Sequence, residues 1–152
     1  MNHDPDELPI YGARLFCARL LACGHIEADL MNPDDGYSLR NVLVHVRPSD
    51  GLAFPFRVSK LFLFAQLFGA ADDYLLRVRM TRIDEDNEEF GESVDFGPWE
   101  ISLPDDGNYV ECFGFPLAKV PFEESGVYEF QLWADGIENM LYNERVEARN
   151  RR

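Results

Sequence analysis

Basic charge is scarce in this chain: 14 Lys and Arg stand against 28 Asp and Glu, for a formal net charge of −14. That balance repels phosphate backbones and anionic lipid surfaces, so neither a nucleic acid nor a membrane is expected as a partner. Long apolar runs are missing as well. The densest, Leu61 to Ala71, is eleven residues and holds Gln66, against the roughly 20 apolar residues a spanning helix needs. The first twelve residues, MNHDPDELPIYG, are acidic and broken by proline, where a secretory leader carries basic charge. A cytoplasmic location is therefore expected. Cysteine is sparse, with Cys17, Cys23 and Cys112 making an odd number. Cys17 and Cys23 on one strand lie ~20 Å apart, beyond disulfide reach, and buried free thiols in a reducing compartment are expected. Lysine is reduced to Lys60 and Lys119 beside twelve Arg, and threonine to Thr81. Such a bias suits a GC-rich bacterial genome.

Catalytic signatures are absent too. The six serines fall in no G-x-S-x-G or S-x-x-K pattern, and no cysteine sits in C-G-S-C-W, so no activated nucleophile is nominated. No GxxxxGK or GxGxxG loop is present to cradle phosphate. The paired acids Asp34-Asp35, Asp72-Asp73 and Asp105-Asp106 lie in turn contexts, where solvation explains them better than general acid–base work. An enzyme is not expected, nor is a cofactor.

What is present is core-forming residue and turn punctuation. Apolar residues make up 46% of the 152 positions and aromatics 13%, enough for one domain with a real core and no staple. Strands are expected at 14–23, 57–69, 74–83, 96–103, 109–117, 126–134 and 140–148. They are separated by Gly, Pro, Asn and Asp turns such as Asn32-Pro33-Asp34-Asp35-Gly36 and Pro104-Asp105-Asp106-Gly107-Asn108. Gly24 is expected to end the first strand, and Asp84 to Asp95 to connect two strands as a loop. Segment 57–69 also fits a helical stripe, and 37–46 reads as either a short helix capped by Ser38 or a strand alternating at Val42, Val44 and Val46. The clearest strand is Tyr74 to Ile83, with Tyr74, Leu76, Val78 and Met80 inward and Arg77, Arg79 and Thr81 outward. With about eight strands and no βαβ rhythm, the expected fold is all-β: a single antiparallel β-sandwich over 13–148, with an acidic N-terminal arm (1–12) and a basic tail (149–152). Gly126-x-Tyr128-x-Phe130 has the spacing of the tyrosine corner of immunoglobulin-like sandwiches, with Phe130 in the core.

Three stretches together resemble an uncharacterised family of small bacterial β-sandwich proteins. They are Ser38-Leu39 with Asn41-Val42 and Phe54-Pro55; Leu61–Phe64 with Tyr74–Met80; and Val120-Pro121-Phe122 with Ser125–Phe130 and Asp135-Gly136. The resemblance covers roughly Leu15 to Val146. It implies a fold and brings no activity, cofactor or catalytic residue.

Two constellations could hold a metal. Asp84, Asp86, Glu88, Glu92 and Asp95 occupy positions 1, 3, 5, 9 and 12 of a calcium-type loop. The sixth position is Glu89 instead of glycine, and the twelfth is the short Asp95, so a solvated hairpin tip is the favoured reading. Cys23 and His25 face the same way on one strand, but further zinc ligands would have to come from His3, His45 or Cys112. The remaining resource is aromatic. Trp133 falls on the outward side of its strand with Glu129 and Gln131, while Trp99 after Pro98 reads as core. Arg77, Arg79, Glu129 and Trp133 then form a candidate partner-binding face. The alternative is Arg stems packed on Trp133 and ion-paired to Glu129. The expected function is a non-catalytic protein-interaction or assembly module of a bacterial cytoplasmic system. The alternatives are a small-ligand- or divalent-metal-binding sandwich, or an acidic mimic of nucleic acid.

Overall fold

The computed structural model describes residues 14–28, 37–49, 53–104 and 110–150. The expected acidic arm (1–12), the turns at 32–36 and 105–108 and the end of the basic tail lie outside the described residues. Within them the chain is all β, with nine strands and no helix: β1 Leu15–Ala28, β2 Tyr37–Val42, β3 His45–Val46, β4 Phe56–Gly69, β5 Asp73–Ile83, β6 Glu89–Ser102, β7 Glu111–Phe122, β8 Gly126–Ala134 and β9 Tyr142–Ala148. They form a four-stranded sheet in the order β2-β1-β4-β7 and a five-stranded sheet in the order β3-β9-β8-β5-β6. Every pairing is antiparallel except the two-residue β3, which runs parallel to β9.

The helical reading of 37–46 is corrected. A tertiary partner overrides the local cap: β1 supplies a ladder to β2, with Cys23 opposite Val42 and His25 opposite Arg40. The chain then leaves that sheet, Leu43 N–H bonding to Ala22 O, and joins the other as β3. Only Val46 of the three valines enters the core; Val42 and Val44 are exposed. Segment 57–69 is likewise strand, because β4 is held on both sides, by β1 and by β7. Leu61, Leu63, Ala65 and Leu67 point into the core. Phe64, on the opposite face by alternation, is also buried. Glycine explains part of this. Gly114 pairs with Phe64, and a Cβ there would stand 2.9 Å from Ile26 Cδ1 of β1. Strands on opposite flanks of β4 thus approach one another, and the sheet is curled.

Gly24 does not end β1, which runs on to Ala28. The expected alternation at 15–20 is also broken. A register shift between Cys17 and Arg19 lets both Leu15 and Leu20 enter the core, as a bulge does by adding one residue to one strand. The stretch 84–95, read as a loop, is mostly strand. β5 is long enough to pair Ile83 with Glu89 and Arg82 with Phe90, so the connection shrinks to 84–88. Asp84 Oδ1 closes it, accepting from the N–H groups of Asp86 (2.8 Å) and Glu88 (2.9 Å). Pro116 and Pro121 lie on β7, an edge strand, where a missing N–H interrupts no second ladder.

One hydrophobic cluster draws on both sheets, with Leu20, Leu63, Leu117 and Phe122 from one and Leu76, Val78, Phe130 and Val146 from the other. Tyr74, Leu76, Val78 and Met80 of β5 all point into it, as the alternation requires. Trp99 is half-buried against it, its ring 5.0 Å from that of Phe115. Gly97 makes that packing possible: at φ 99° a Cβ would meet the Trp99 ring at 2.9 Å and Leu76 O at 3.1 Å. Tyr128 closes one end. Its hydroxyl donates to Glu124 O at 2.8 Å and accepts from the N–H groups of Glu123 (3.1 Å) and Glu124 (3.2 Å), and its ring stands edge-on to Phe122.

Candidate functional site

β8 sends Tyr128, Phe130 and Leu132 into the core, so Glu129, Gln131 and Trp133 lie on the outer face of the five-stranded sheet. Their surroundings depart from the sequence expectation. Glu129 and Gln131 are each only 5% exposed, and Glu129 pairs with neither Arg77 nor Arg79. Its Oε1 accepts from Gln131 Nε2 at 2.9 Å; its Oε2 accepts from Asn143 Nδ2 at 2.9 Å and Arg145 Nε at 3.0 Å. Burial pushes the Glu129 carboxyl up, but the hydrogen bonds from Gln131, Asn143 and Arg145, with the Arg145 charge, outweigh it. The group lies below the ordinary glutamate value. Gln131 Nε2 also reaches Glu89 Oε1 at 2.6 Å, and Arg145 Nη1 reaches Asn87 Oδ1 at 2.8 Å. The network therefore ties β8, β9, the start of β6 and the β5–β6 turn.

Asn143 and Arg145 were not nominated from the sequence. The signal was their alternation on β9: they stand opposite Gln131 and Glu129. Finding them required the β8–β9 register, which the turn at Asp135-Gly136 sets only once both strand ends are known.

Thr81 stands opposite Glu129 on β5. It is 4% exposed, and its Oγ1 has no hydrogen-bond partner among the described residues. A buried hydroxyl left unpaired costs roughly 1–3 kcal/mol. Thr81→Val is isosteric and is expected to raise stability by about 1 kcal/mol, shifting Tm upward by ~3 °C for a chain of this size. A calorimetric scan showing an unchanged or lower Tm would contradict the unpaired hydroxyl.

Beyond the buried network the face opens into a shallow cleft of about 210 Å³ lined by Arg77, Arg79, Asp95 and Trp133. Arg77 lies opposite Trp133 in the β5–β8 ladder. Its Nε is 3.0 Å from Asp135 Oδ1, and Arg79 Nε is 3.0 Å from Asp95 Oδ1. Trp133 Nε1 donates to Gln131 Oε1 at 3.1 Å. Of the four candidate partner residues, three therefore line one cleft. Glu129 lies beneath the face and orients it through Gln131. The cleft offers an indole with its N–H already satisfied, beside two guanidinium groups each held by a carboxylate. Such a surface can stack and hydrogen-bond; its four lining residues include no nucleophile.

The five carboxylates of the calcium-type loop do not converge. Asp84 closes its own turn, Asp95 pairs with Arg79, and Glu92 lines a different cavity, with Met80 and Tyr128. Among the described residues no group of three or more His, Cys, Asp or Glu side chains could hold a metal ion. His25 sits 3.5 Å from Glu27 and edge-on to Phe62; His3 lies outside the described residues. All three thiols are free, but only Cys23 is buried; Cys17 and Cys112 are half-buried. This corrects the expectation of three buried thiols: Cys17 shares the inward side of β1 with Leu15 and packs against the core without being enclosed by it. Burial still pushes the Cys17 thiol up to about 11. Since the thiolate is the nucleophile, iodoacetamide at pH 8 is expected to label Cys17 roughly a hundredfold more slowly than an unperturbed thiol. Peptide mapping by mass spectrometry reads this directly, and rapid labelling would refute it.

Among the described residues no helix is long and apolar enough to cross a membrane. No family model matches the chain, and no curated protein matches it. Among solved structures the chain is similar to the Pseudomonas fluorescens alkylpurine DNA glycosylase AlkC bound to DNA containing an abasic site analogue, at 7% identity and a TM-score of 0.49. The match covers 95% of this chain and 35% of that one, so the chain spans about a third of that protein's length.

Proposed function

We propose that the chain is a non-catalytic protein-interaction module of the bacterial cytoplasm, folded as one immunoglobulin-like β-sandwich, that docks a partner protein on the Trp133 face. The sandwich is supported by the single core that both sheets share and by the Tyr128 hydroxyl bonded back to Glu124. The observation that carries the function is the cleft: Trp133 beside Arg77 and Arg79, all three tied down by neighbours. Tryptophan and arginine dominate the energetics of protein interfaces, and groups already immobilised lose little entropy when a partner docks.

Size favours a protein over a small molecule. About 210 Å³ is below the roughly 300–1,000 Å³ of drug-sized ligand pockets and suits one inserted side chain. A divalent ion is less supported, since Asp84 Oδ1 is already engaged by two backbone donors.

The test is capture from a native bacterial lysate at low and moderate salt, read by mass spectrometry. A specific partner is expected to survive moderate salt, and Trp133→Ala to weaken its capture about tenfold with an unchanged unfolding midpoint. Undiminished capture by that variant removes the Trp133 face from consideration.

A further inference from the structure

A second surface, at the end of the five-stranded sheet, is independent of the Trp133 cleft. Trp133 and Val127 are six residues apart on β8, or ~20 Å. At the Val127 end, Ile83, Phe90 and Val127 line an open groove of about 590 Å³, walled by Asp84, Glu85 and Asp86. Phe90 is 42% exposed there. Its ring lies against the guanidinium of Arg82 at 5.3 Å. Arg82 is held in turn by Glu124 at 2.9 Å and by the Tyr128 ring at 5.8 Å. Phe90 is thus propped outward from a fixed base.

The charge around it is one-sided. Residues 84–93 and 123–127 contain eight acids and no Lys or Arg. Asp84, Glu85 and Asp86 line the groove, Glu92 and Glu123 line the neighbouring cavity, and Glu89 and Glu124 are bonded to Gln131 and Arg82. The cations that reach these segments are Arg82, on Glu124, and Arg145, on Asn87. The charged side chains that line the groove are all carboxylates, so it is negative around an apolar floor. A bare metal ion does not fit, because these carboxylates do not converge. A polyanion is repelled.

We propose that this groove docks a basic segment of a partner protein, with arginines or lysines against the acid walls and an interleaved apolar side chain against Phe90. Both parts of the surface then have a counterpart: the carboxylates recognise charge, and Phe90 selects among basic segments for one that also carries apolar bulk.

The experiment is fluorescence anisotropy on the full chain with two labelled peptides of equal length and charge, one alternating arginine with leucine and the other arginine with serine. At near-physiological salt the arginine–leucine peptide is expected to bind about tenfold more tightly. Phe90→Ser should abolish that preference, and Trp133→Ala should leave it intact. The double variant Glu85→Gln, Asp86→Asn, at exposed positions whose side chains make no contact the fold needs, should weaken both peptides and flatten their salt dependence. Equal affinity for the two peptides, no binding of either, a preference that survives Phe90→Ser, or one lost in Trp133→Ala would each overturn the proposal. If Phe90→Ser unfolds the chain, the double variant decides: unchanged affinity overturns it.

Discussion

Glu129→Ala is expected to lower the unfolding free energy by about 3 kcal/mol. The loss comes from what is left behind. Gln131 Nε2, Asn143 Nδ2 and Arg145 Nε all donate to this carboxylate, and Gln131 is itself buried. Stranding a buried donor costs roughly 1–3 kcal/mol, more for a charged one. Arg145 is half exposed and recovers water, which holds the total near the lower end for a broken buried pair. Glu129→Gln keeps the shape and one acceptor and should lose about half as much. Urea unfolding of the three proteins measures this; a loss under about 1 kcal/mol for the alanine variant would show that the network is not buried as described.

The same residue sets an acid sensitivity. The folded Glu129 carboxyl lies below its ordinary value, so its stabilisation is complete above the unfolded value of about 4.3. It fades as pH falls through the folded value. Wild type should therefore lose more stability than Glu129→Gln on acidification below about pH 4.3, and the two curves should run parallel above it. Divergence above neutrality instead would assign the titration to another group.

Tyr128→Phe is expected to cost about 2 kcal/mol with the ring packing retained. One hydroxyl serves Glu124 O, Glu123 N–H and Glu124 N–H. Removing it deprives the β7–β8 turn of three bonds, each worth about 1 kcal/mol net. Water reaches the exposed turn residues and offsets part of the loss. A shift under about 0.5 kcal/mol in the urea experiment would mean that the corner holds without its hydroxyl.

That corner was legible in the sequence because it is local: Gly126, Tyr128 and Phe130 are read by spacing alone, and the hydroxyl's three backbone bonds lie within five residues. β5 was legible for a similar reason. Its alternation is uninterrupted from Tyr74 to Met80, so period 2 suffices to sort core from surface. β1 was less so, because the bulge at Cys17–Arg19 changes which side chains face inward and nothing in RLFCARL marks it. Segments 37–46 and 57–69 were ambiguous because short apolar runs fit both periods, and the decision came from ladder partners on other strands, β1 for the first and β1 and β7 for the second.

The candidate site divides in the same way. Trp133 was placed on the outer face by alternation along β8, and Arg77 and Arg79 by alternation along β5. Which acid each arginine meets was not local information: Asp135 comes from the β8–β9 turn and Asp95 from β6, while Glu129 was taken by Arg145 across another ladder. Composition, turn residues and strand alternation determined an acidic, predominantly β chain with Tyr128 and Phe130 fixed near a turn and Trp133 turned away from the core. Only the tertiary structure decided that Glu129 is buried, that Thr81 has no hydrogen-bond partner among the described residues, and that the acids of the β5–β6 turn gather round Phe90. The physical reason is that strand register, set by long-range pairing, decides which charges become neighbours, and a shift of one residue would have reassigned every one of them.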